Sequence, residues 1–436
     1  MYLCKVIKEN QREYTRREDY EIMAPAGGYD ALYAAIQGGA NAVYFGIQGL
    51  NMRARSSKSF TCEDLPKIVA ICKARGIQTY LTVNTIIYDG DMELLHSIID
   101  SAKEAGVSAI IASDIAAMTY AYERGVEVHL STQLNITNVE ALKFYARYAD
   151  VVVLARELTL EQVSTIHDAI VEQDIRGPHG ERIRIEMFCH GALCMAVSGK
   201  CYLSLHEMNS SANRGACNQV CRRQYTVRDK ESDIELEVDN SYIMSPKDLK
   251  TIHFINKMMD AGVRVFKIEG RARGPEYVRT TCECYDEAIR ATLEGTLTDE
   301  KISDWDERLS KVFNRGFWDG YYLGQRLGEW THRYGSSATR VKVSVGKVRK
   351  YFGKIEVAEI EIESGYILRD EELLISGPTS GAVFVKAEDM RIDDETRDKV
   401  SKGDIFSLKV LERVRTGDRV YVMREVEGIN NISIRD

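Results

Sequence analysis

From about residue 20 to residue 294, short apolar runs alternate with stretches in which apolar positions recur at helical spacing. The apolar runs fall at 20–23, 42–45, 78–83, 109–112, 127–130, 151–154, 184–188 and 265–268, giving eight candidate strands. The stretches between them carry helix punctuation. Thr61 can cap a helix with Asp64 at its third position; Leu65, Ile68, Val69 and Cys72 then share one stripe, and Gly76 ends it. Thr159 and Gln162 make a second capping box, ahead of Val163, Ile166 and Ile170 on one face. Eight strands alternating with helices predict an α/β fold, a TIM-like (β/α)8 barrel, with an open doubly wound sheet as the alternative.

Beyond residue 338 the period changes to two. Runs at 341–345, 355–362, 372–375, 382–386, 404–410 and 419–423 are separated by turn signals such as Gly377-Pro378 and Gly417-Asp418. Short strands at this spacing predict a small C-terminal β-barrel. The chain then divides into an N-terminal extension (1–19), a barrel (20–295) with a cysteine-rich insertion (186–225), a helical linker (296–337) and the β-barrel (338–436). Within the first barrel, 230–240 reads as an acidic surface loop. Ser245-Pro-Lys-Asp-Leu reads as the start of a helix through Met259, with Pro246 in its first turn. Pro275 opens a long helix, and a further one at 301–314 leads into the glycine- and aromatic-rich run 315–324.

Charge narrows the partners. Lys and Arg number 58 against 66 Asp and Glu, a net charge of −8, so contact with a nucleic acid must use a local basic face. No apolar run follows the basic start, and the most apolar stretch, 107–118, is interrupted by Asp114; neither a signal peptide nor a membrane span is expected. Ten cysteines without secretory features predict a reducing, cytoplasmic compartment rather than a disulfide framework.

Four of those cysteines, Cys194, Cys201, Cys217 and Cys221, stand in the spacing C-x6-C-x15-C-x3-C among glycines and arginines. Thiolates on short glycine-punctuated loops can surround one soft metal centre, an iron–sulfur cluster or a structural zinc. Zinc sites favour paired short knuckles, and only Cys217 and Cys221 approach one, with three intervening residues instead of two. The long middle loop favours a 4Fe-4S cluster, with zinc as the alternative. Cys189 reads as a packed strand residue before a fifth ligand; Cys72 and Cys282 fall on helix core faces, and Cys62 near a cap.

In a (β/α)8 barrel, polar residues just past the strand ends mark the active face. They are Asn84, Ser113, Ser131-Thr132-Gln133, Arg156-Glu157, His190, Glu269, Arg271 and Arg273, and the cysteine cluster follows strand seven onto the same face. Glu186, His190, Arg156 and Glu269 are the candidate catalytic groups. His190 suits a proton donor or a hydrogen-bond partner of a cluster sulfur, and equally a satisfied structural histidine. Glu186 is costly to bury unpaired, and Arg271 is the guessed partner. Asn84, Gln133, Arg271, Arg273, Arg214, Arg222 and Arg223 are the candidate substrate-binding residues; arginines at the mouth can clamp carboxylates, although for any one of them a surface salt bridge is the default. Lys347, Arg349, Lys350 and Lys354 open the C-terminal domain as a patch able to touch phosphates, or as a solvated strand edge. There is no His-Glu-x-x-His helix, no Gly-x-Ser-x-Gly elbow and no phosphate loop ending Gly-Lys-Ser/Thr, so nothing in the residues argues for peptide hydrolysis.

The block Glu186-Met-Phe-Cys-His-Gly-Ala-Leu-Cys-Met-Ala-Val-Ser-Gly-Lys-Cys-Tyr-Leu-Ser204 resembles the signature of the collagenase-like peptidase family of unassigned catalytic type, family U thirty-two. Asn213-Arg-Gly-Ala-Cys-Asn-Gln-Val-Cys-Arg-Arg, Ser245-Pro-Lys-Asp-Leu, Lys267-Ile-Glu-Gly-Arg271, Ala24-Pro-Ala-Gly, Ala42-Val-Tyr-Phe-Gly, Leu81-Thr-Val-Asn and Ala155-Arg-Glu-Leu extend the match. The length and the C-terminal domain look like the tRNA hydroxylation branch. That resemblance implies 5-hydroxyuridine formation at the wobble position of tRNA, independent of dioxygen, with prephenate as a required metabolite. It also implies Cys194, Cys201, Cys217 and Cys221 as ligands of a 4Fe-4S cluster; an electron donor is a further partner that such a cluster could use. The C-terminal domain is similar to the second domain of elongation factor Tu, which suits an RNA partner. Sister branches act on ribosomal RNA or a quinone ring, and the family name records collagenolytic activity, which ranks second. Cys189 and Pro246 depart from the family's pattern; the former leaves open which thiols bind.

Overall fold

The computed structural model describes residues 15–52, 60–225, 244–325, 327–332 and 335–426. All eight expected strands form: β1 Glu21–Pro25, β2 Ala42–Phe45, β3 Gln78–Val83, β4 Ala109–Ala112, β5 Glu127–Leu130, β6 Val151–Val153, β7 Arg184–Gly191 and, after an inserted strand β8 (Asp248–Lys250), β9 Val263–Ile268. The eight run parallel in the order β1 to β7 then β9, and β9 pairs with both β7 and β1, so the sheet closes as a barrel. Helices α1 Tyr29–Gln37, α2 Leu65–Lys73, α3 Met92–Ala105, α4 Ile115–Glu123, α5 Val139–Tyr145 and α6 Leu160–Glu172 follow the first six strands; α7 Leu203–Met208 lies in the cysteine-rich lobe, and α8 Ile255–Asp260 and α9 Pro275–Leu293 flank β9.

Local signals explain the helix starts. Asp64 accepts from the Thr61 backbone at 2.9 Å and from its hydroxyl at 3.1 Å, bracketing a 3-10 turn that hands over to α2 at Leu65. Thr159 and Gln162 cap α6 reciprocally, at 2.9 and 3.3 Å. The helices bury their stripes on the outside of the barrel. A separate cluster of Met23, Ala42, Tyr44, Tyr80, Ala109, Ile111, Val151 and Val265 fills the inside, small residues against large. Because strand side chains alternate, Val265 inside puts Lys267 and Glu269 on the same inward face, nearer the C-terminal mouth. Tyr80 does the same for Thr82 and Asn84.

One expectation fails. Ser245-Pro-Lys-Asp-Leu does not open a helix: Asp248–Lys250 is a strand, antiparallel to the end of β7 with His190 opposite Lys250. The free end of β7 offers a ladder, and burial of Asp248 and Leu249, each 1% exposed, outweighs the local cap signal. Pro246 bridges to Trp330 instead of starting a helix. The 230–240 loop expectation lies outside the described residues.

After α10 (Asp299–Lys311), β10 (Phe317–Trp318) runs parallel to β8, and the chain enters the C-terminal domain. Its strands are β11 Arg340–Phe352, β12 Val357–Ile362, β13 Tyr366–Leu368, β14 Glu372–Gly377, β15 Gly381–Lys386, β16 Met390–Ile392, β17 Glu395–Arg397, β18 Lys399–Ser401, β19 Ile405–Lys409 and β20 Arg419–Glu425. The six expected strands are present, four short ones are added, and the pairing is antiparallel in the order β15-β14-β20-β11-β12-β19-β16-β17, with β13–β18 apart. The sheet surrounds its own core, including Val348, Ile360, Ile375, Phe406 and Val422. It is pinned to the first barrel through Gln37, which exchanges 3.0 Å bonds with Ser380 and Ala382, and through Arg279, 2.8 Å from Glu412. No helix among the described residues is long and apolar enough to cross a membrane.

Candidate active site at the barrel mouth

A cavity of about 550 Å³ opens at the C-terminal end of the barrel, and all four cysteines of the C-x6-C-x15-C-x3-C group line it. The cysteine-rich lobe reaches the mouth because β7 runs past the barrel and turns at Gly191. A Cβ there would meet the Glu269 carbonyl oxygen at 2.3 Å, and its φ of +105° favours glycine. Gly27 serves the opposite wall in the same way: a Cβ would stand 1.9 Å from the Arg271 carbonyl oxygen. The lobe is held down by Arg214, which donates to Asp91 at 2.5 and 3.0 Å and stacks 4.3 Å above Tyr88.

The four thiols are electrostatic neighbours. Burial pushes the Cys221 thiol up, Arg222 opposes the rise, and Cys194, Cys217 and Cys201 add to it. Cys189 is fully buried, donates to the Lys267 carbonyl at 3.5 Å and is not among the lining residues, so the thiols facing the cavity are the four expected ones. As a donor set they suit a soft metal centre. Among the described residues, no group of three or more His, Cys, Asp or Glu side chains is already arranged to hold an ion.

Asn84, Gln133, Arg156, Arg222, Glu269, Arg271 and Arg273 line the cavity as expected. Asn84 donates to Ser131 at 3.1 Å, and the Ser131 hydroxyl donates to Gln133. Arg156 lies 3.7 Å from the Phe188 ring centroid and donates to the Ala192 carbonyl, while its Nε has no partner among the described residues. Arg271 donates to Thr82 at 2.9 Å and Asn51 at 3.2 Å. Glu269 accepts from the Tyr44 hydroxyl at 3.3 Å.

Four expected residues stand elsewhere. Glu186 is fully buried inside the barrel, and its partner is Lys267 at 2.7 Å, correcting the guess of Arg271; only Lys267 lines the cavity. His190 is 1% exposed among Tyr277, Tyr285 and Phe317, and burial, with Lys250 and Arg273 nearby, pushes it down to about 3. It is a neutral ring packed beside the site and does not line the cavity. Arg214 is spent on Asp91, and Arg223 is exposed and touches Met208.

Sequence reasoning missed two cations on the lining, Lys267 and Arg315. For Lys267 the signal was present, since it alternates with Glu269 on one strand. Five arginines and Lys267 thus face one carboxylate, Glu269. Part of that charge is balanced from behind, where Asp248 lies 3.4 Å from Arg315 and 3.9 Å from Arg273 and Glu186 pairs with Lys267. Burial and then Arg315 draw the Arg222 guanidinium down, and burial draws Arg273 down against the pull of Asp248. A bound anion would relieve both. A side cleft of about 50 Å³ adjoins the cavity, sharing Arg156, Leu193, Cys194, Met195, Ala196 and Ser198 with it.

This mouth, with its thiols and arginines, sits inside the segment that a family model described as peptidase family U32 matches, residues 27–332. The chain belongs to that family. Among family relatives, a protein named collagenase from Porphyromonas gingivalis is 66% identical over 92% of this chain and 97% of its own length. The tRNA hydroxylation protein P1 of Bacillus subtilis is 32% identical over 82% of this chain and 83% of its own. The 23S rRNA 5-hydroxycytidine C2501 synthase of Escherichia coli is 34% identical over 71% of this chain and 46% of its own. Family U32 names therefore cover two chemistries, peptide cleavage and RNA hydroxylation.

Proposed function

We propose that the protein is an RNA hydroxylase, forming 5-hydroxyuridine at the wobble position of tRNA. The observation that carries this reading is the composition of the cavity, where five arginines and Lys267 share the lining with four thiols at the mouth of a closed barrel. A wobble uridine lies in a single-stranded loop, so its base can leave the stack without melting a duplex. Asn84 and Gln133 offer amides to the edge of such a base. Arg271 and Arg273 suit the carboxylates of a small dicarboxylate co-substrate such as prephenate. Cys194, Cys201, Cys217 and Cys221 would hold a 4Fe-4S cluster, which would supply a path for the two electrons that leave when C5–H becomes C5–OH without dioxygen, with an external redox partner to take them up. The residues of the chain bind and orient the base, and Leu193 to Val197 shield it from water.

A second reading, peptide hydrolysis, is favoured by the name of the 66% identical relative. Against it, the described lining contains Ser131, Ser198 and Ser245 but no histidine to activate a serine. Mass spectrometry of tRNA and ribosomal RNA nucleosides from a strain lacking this protein separates the readings. Loss of 5-hydroxyuridine derivatives, restored by wild-type chain, is expected; an unchanged profile alongside gelatin cleavage by the purified protein would overturn the proposal.

A further inference from the structure

The side cleft beside Cys194 is walled by three aromatic rings, Trp318, Tyr321 and Trp330, with Pro246 at its base. Trp318 and Tyr321 meet edge to face at 5.3 Å. Trp318 is 5% exposed, and its indole N–H has no acceptor among the described residues. Gly328 faces the centre of the three rings: a Cβ there would lie 3.5 Å from Tyr321 Oη, 3.6 Å from Trp330 Cζ2 and 3.7 Å from Trp318 Cη2. The walls are stitched together. Lys247 N donates to the Glu329 carbonyl at 3.0 Å and Thr331 N to the Ser245 carbonyl at 2.9 Å, and Arg222 donates to Pro246 and to Leu193 across the cleft.

A rigid aromatic slot, sharing one wall with a cationic cavity, fits a planar ring joined to an anionic backbone. Glu157 is the one carboxylate on the cleft, and it is exposed at the rim. We propose that this cleft is a subsite for the nucleobase next to the one that enters the main cavity, stacking on the half-buried Trp330, which the buried Trp318 backs. The inference rests on the RNA reading and adds to it a site that grips the neighbouring nucleotide. With about 50 Å³, the cleft admits the edge of one ring, which is how an aromatic slot clamps a base without enclosing it.

The chain has three tryptophans, two of them in the cleft, so indole fluorescence reads the site directly. Full-length protein prepared without air is titrated with a short single-stranded oligouridylate. Wild type is expected to bind with quenching. Gly328→Leu, which fills the slot, and Trp330→Ala, which removes a wall, are each expected to weaken binding ~5- to 150-fold, the range for one base–aromatic stack. Circular dichroism checks that both variants fold, and because they act by opposite steric means one misfolded variant leaves the other informative. Unchanged affinity in a folded variant, or binding without quenching, overturns the subsite and leaves the RNA reading standing. No binding of the RNA to wild type, or quenching by a gelatin peptide alone, overturns the RNA reading and the subsite with it.

Discussion

The two mouths of the barrel both carry charged strand residues, and they use them in opposite ways. At the N-terminal mouth, Glu21, Glu127 and Arg184 begin β1, β5 and β7 and meet in one short network, with Arg184 3.2 Å from Glu21 and 3.8 Å from Glu127. His129, buried against Tyr80, closes the network 2.9 Å from Glu127. At the C-terminal mouth, five arginines, Lys267 and Glu269 line an open cavity, with Asp248 and Glu186 pairing Arg315 and Lys267 from behind. Placement, rather than the presence of charge, separates the two ends: one set of charges meets within the ladder, the other lines an open cavity. The pair Glu186–Lys267 lies between the two regimes, since one partner is sealed in the barrel and the other reaches the cavity.

Removing half of that central pair is the strongest way to break the contrast. Glu186→Ala takes the carboxylate away from the buried Lys267, and urea melts should show a loss of ~3–5 kcal/mol, whereas a loss under ~1 kcal/mol would mean that water in the cavity solvates the ammonium. Per pH unit, a smaller effect comes from His190. Its pKa is about 3 in the fold against an ordinary 6.5, so the unfolded chain takes up the proton first. Its contribution is whole above pH 6.5 and drains away as pH falls towards 3, at up to ~1.4 kcal/mol per pH unit. His190→Gln should flatten that part of the stability–pH curve; an unchanged slope would place the ring in water. The smallest effect belongs to the N-terminal mouth. The Arg184 side chain is 41% exposed, so Arg184→Ala should cost less than ~1 kcal/mol in the same melts and leave RNA binding unchanged. A tenfold fall in RNA affinity would erase the distinction between the mouths.

The barrel was legible because each strand is a compact apolar run, and the eight runs named from the sequence are the eight that close. The site was legible in part. Asn84, Gln133, Arg156, Glu269, Arg271 and Arg273 follow strand ends, and any barrel brings strand ends together. Glu186 was given the wrong partner because β7 and β9 are paired by register across 81 residues of sequence, and no local pattern encodes that register. Arg315 was missed for a related reason: it follows α10, outside the strand-and-helix alternation, and reaches the mouth only because β10 docks on β8. Pro246 was misread because its cap signal is local while the β7–β8 ladder is not. His190 satisfied the strand-end rule in sequence, yet the long β7 carries it past the rim into the packing of α9, against Tyr277 and Tyr285.

The central claim is that the thiols gathered at the C-terminal mouth hold iron. Iron and acid-labile sulfide should be assayed in protein purified under strict anaerobiosis, beside the Cys217→Ser/Cys221→Ser variant. The account predicts a brown wild type with equal amounts of the two and a colourless, folded variant with neither. A colourless wild type, or one carrying stoichiometric zinc, would contradict it.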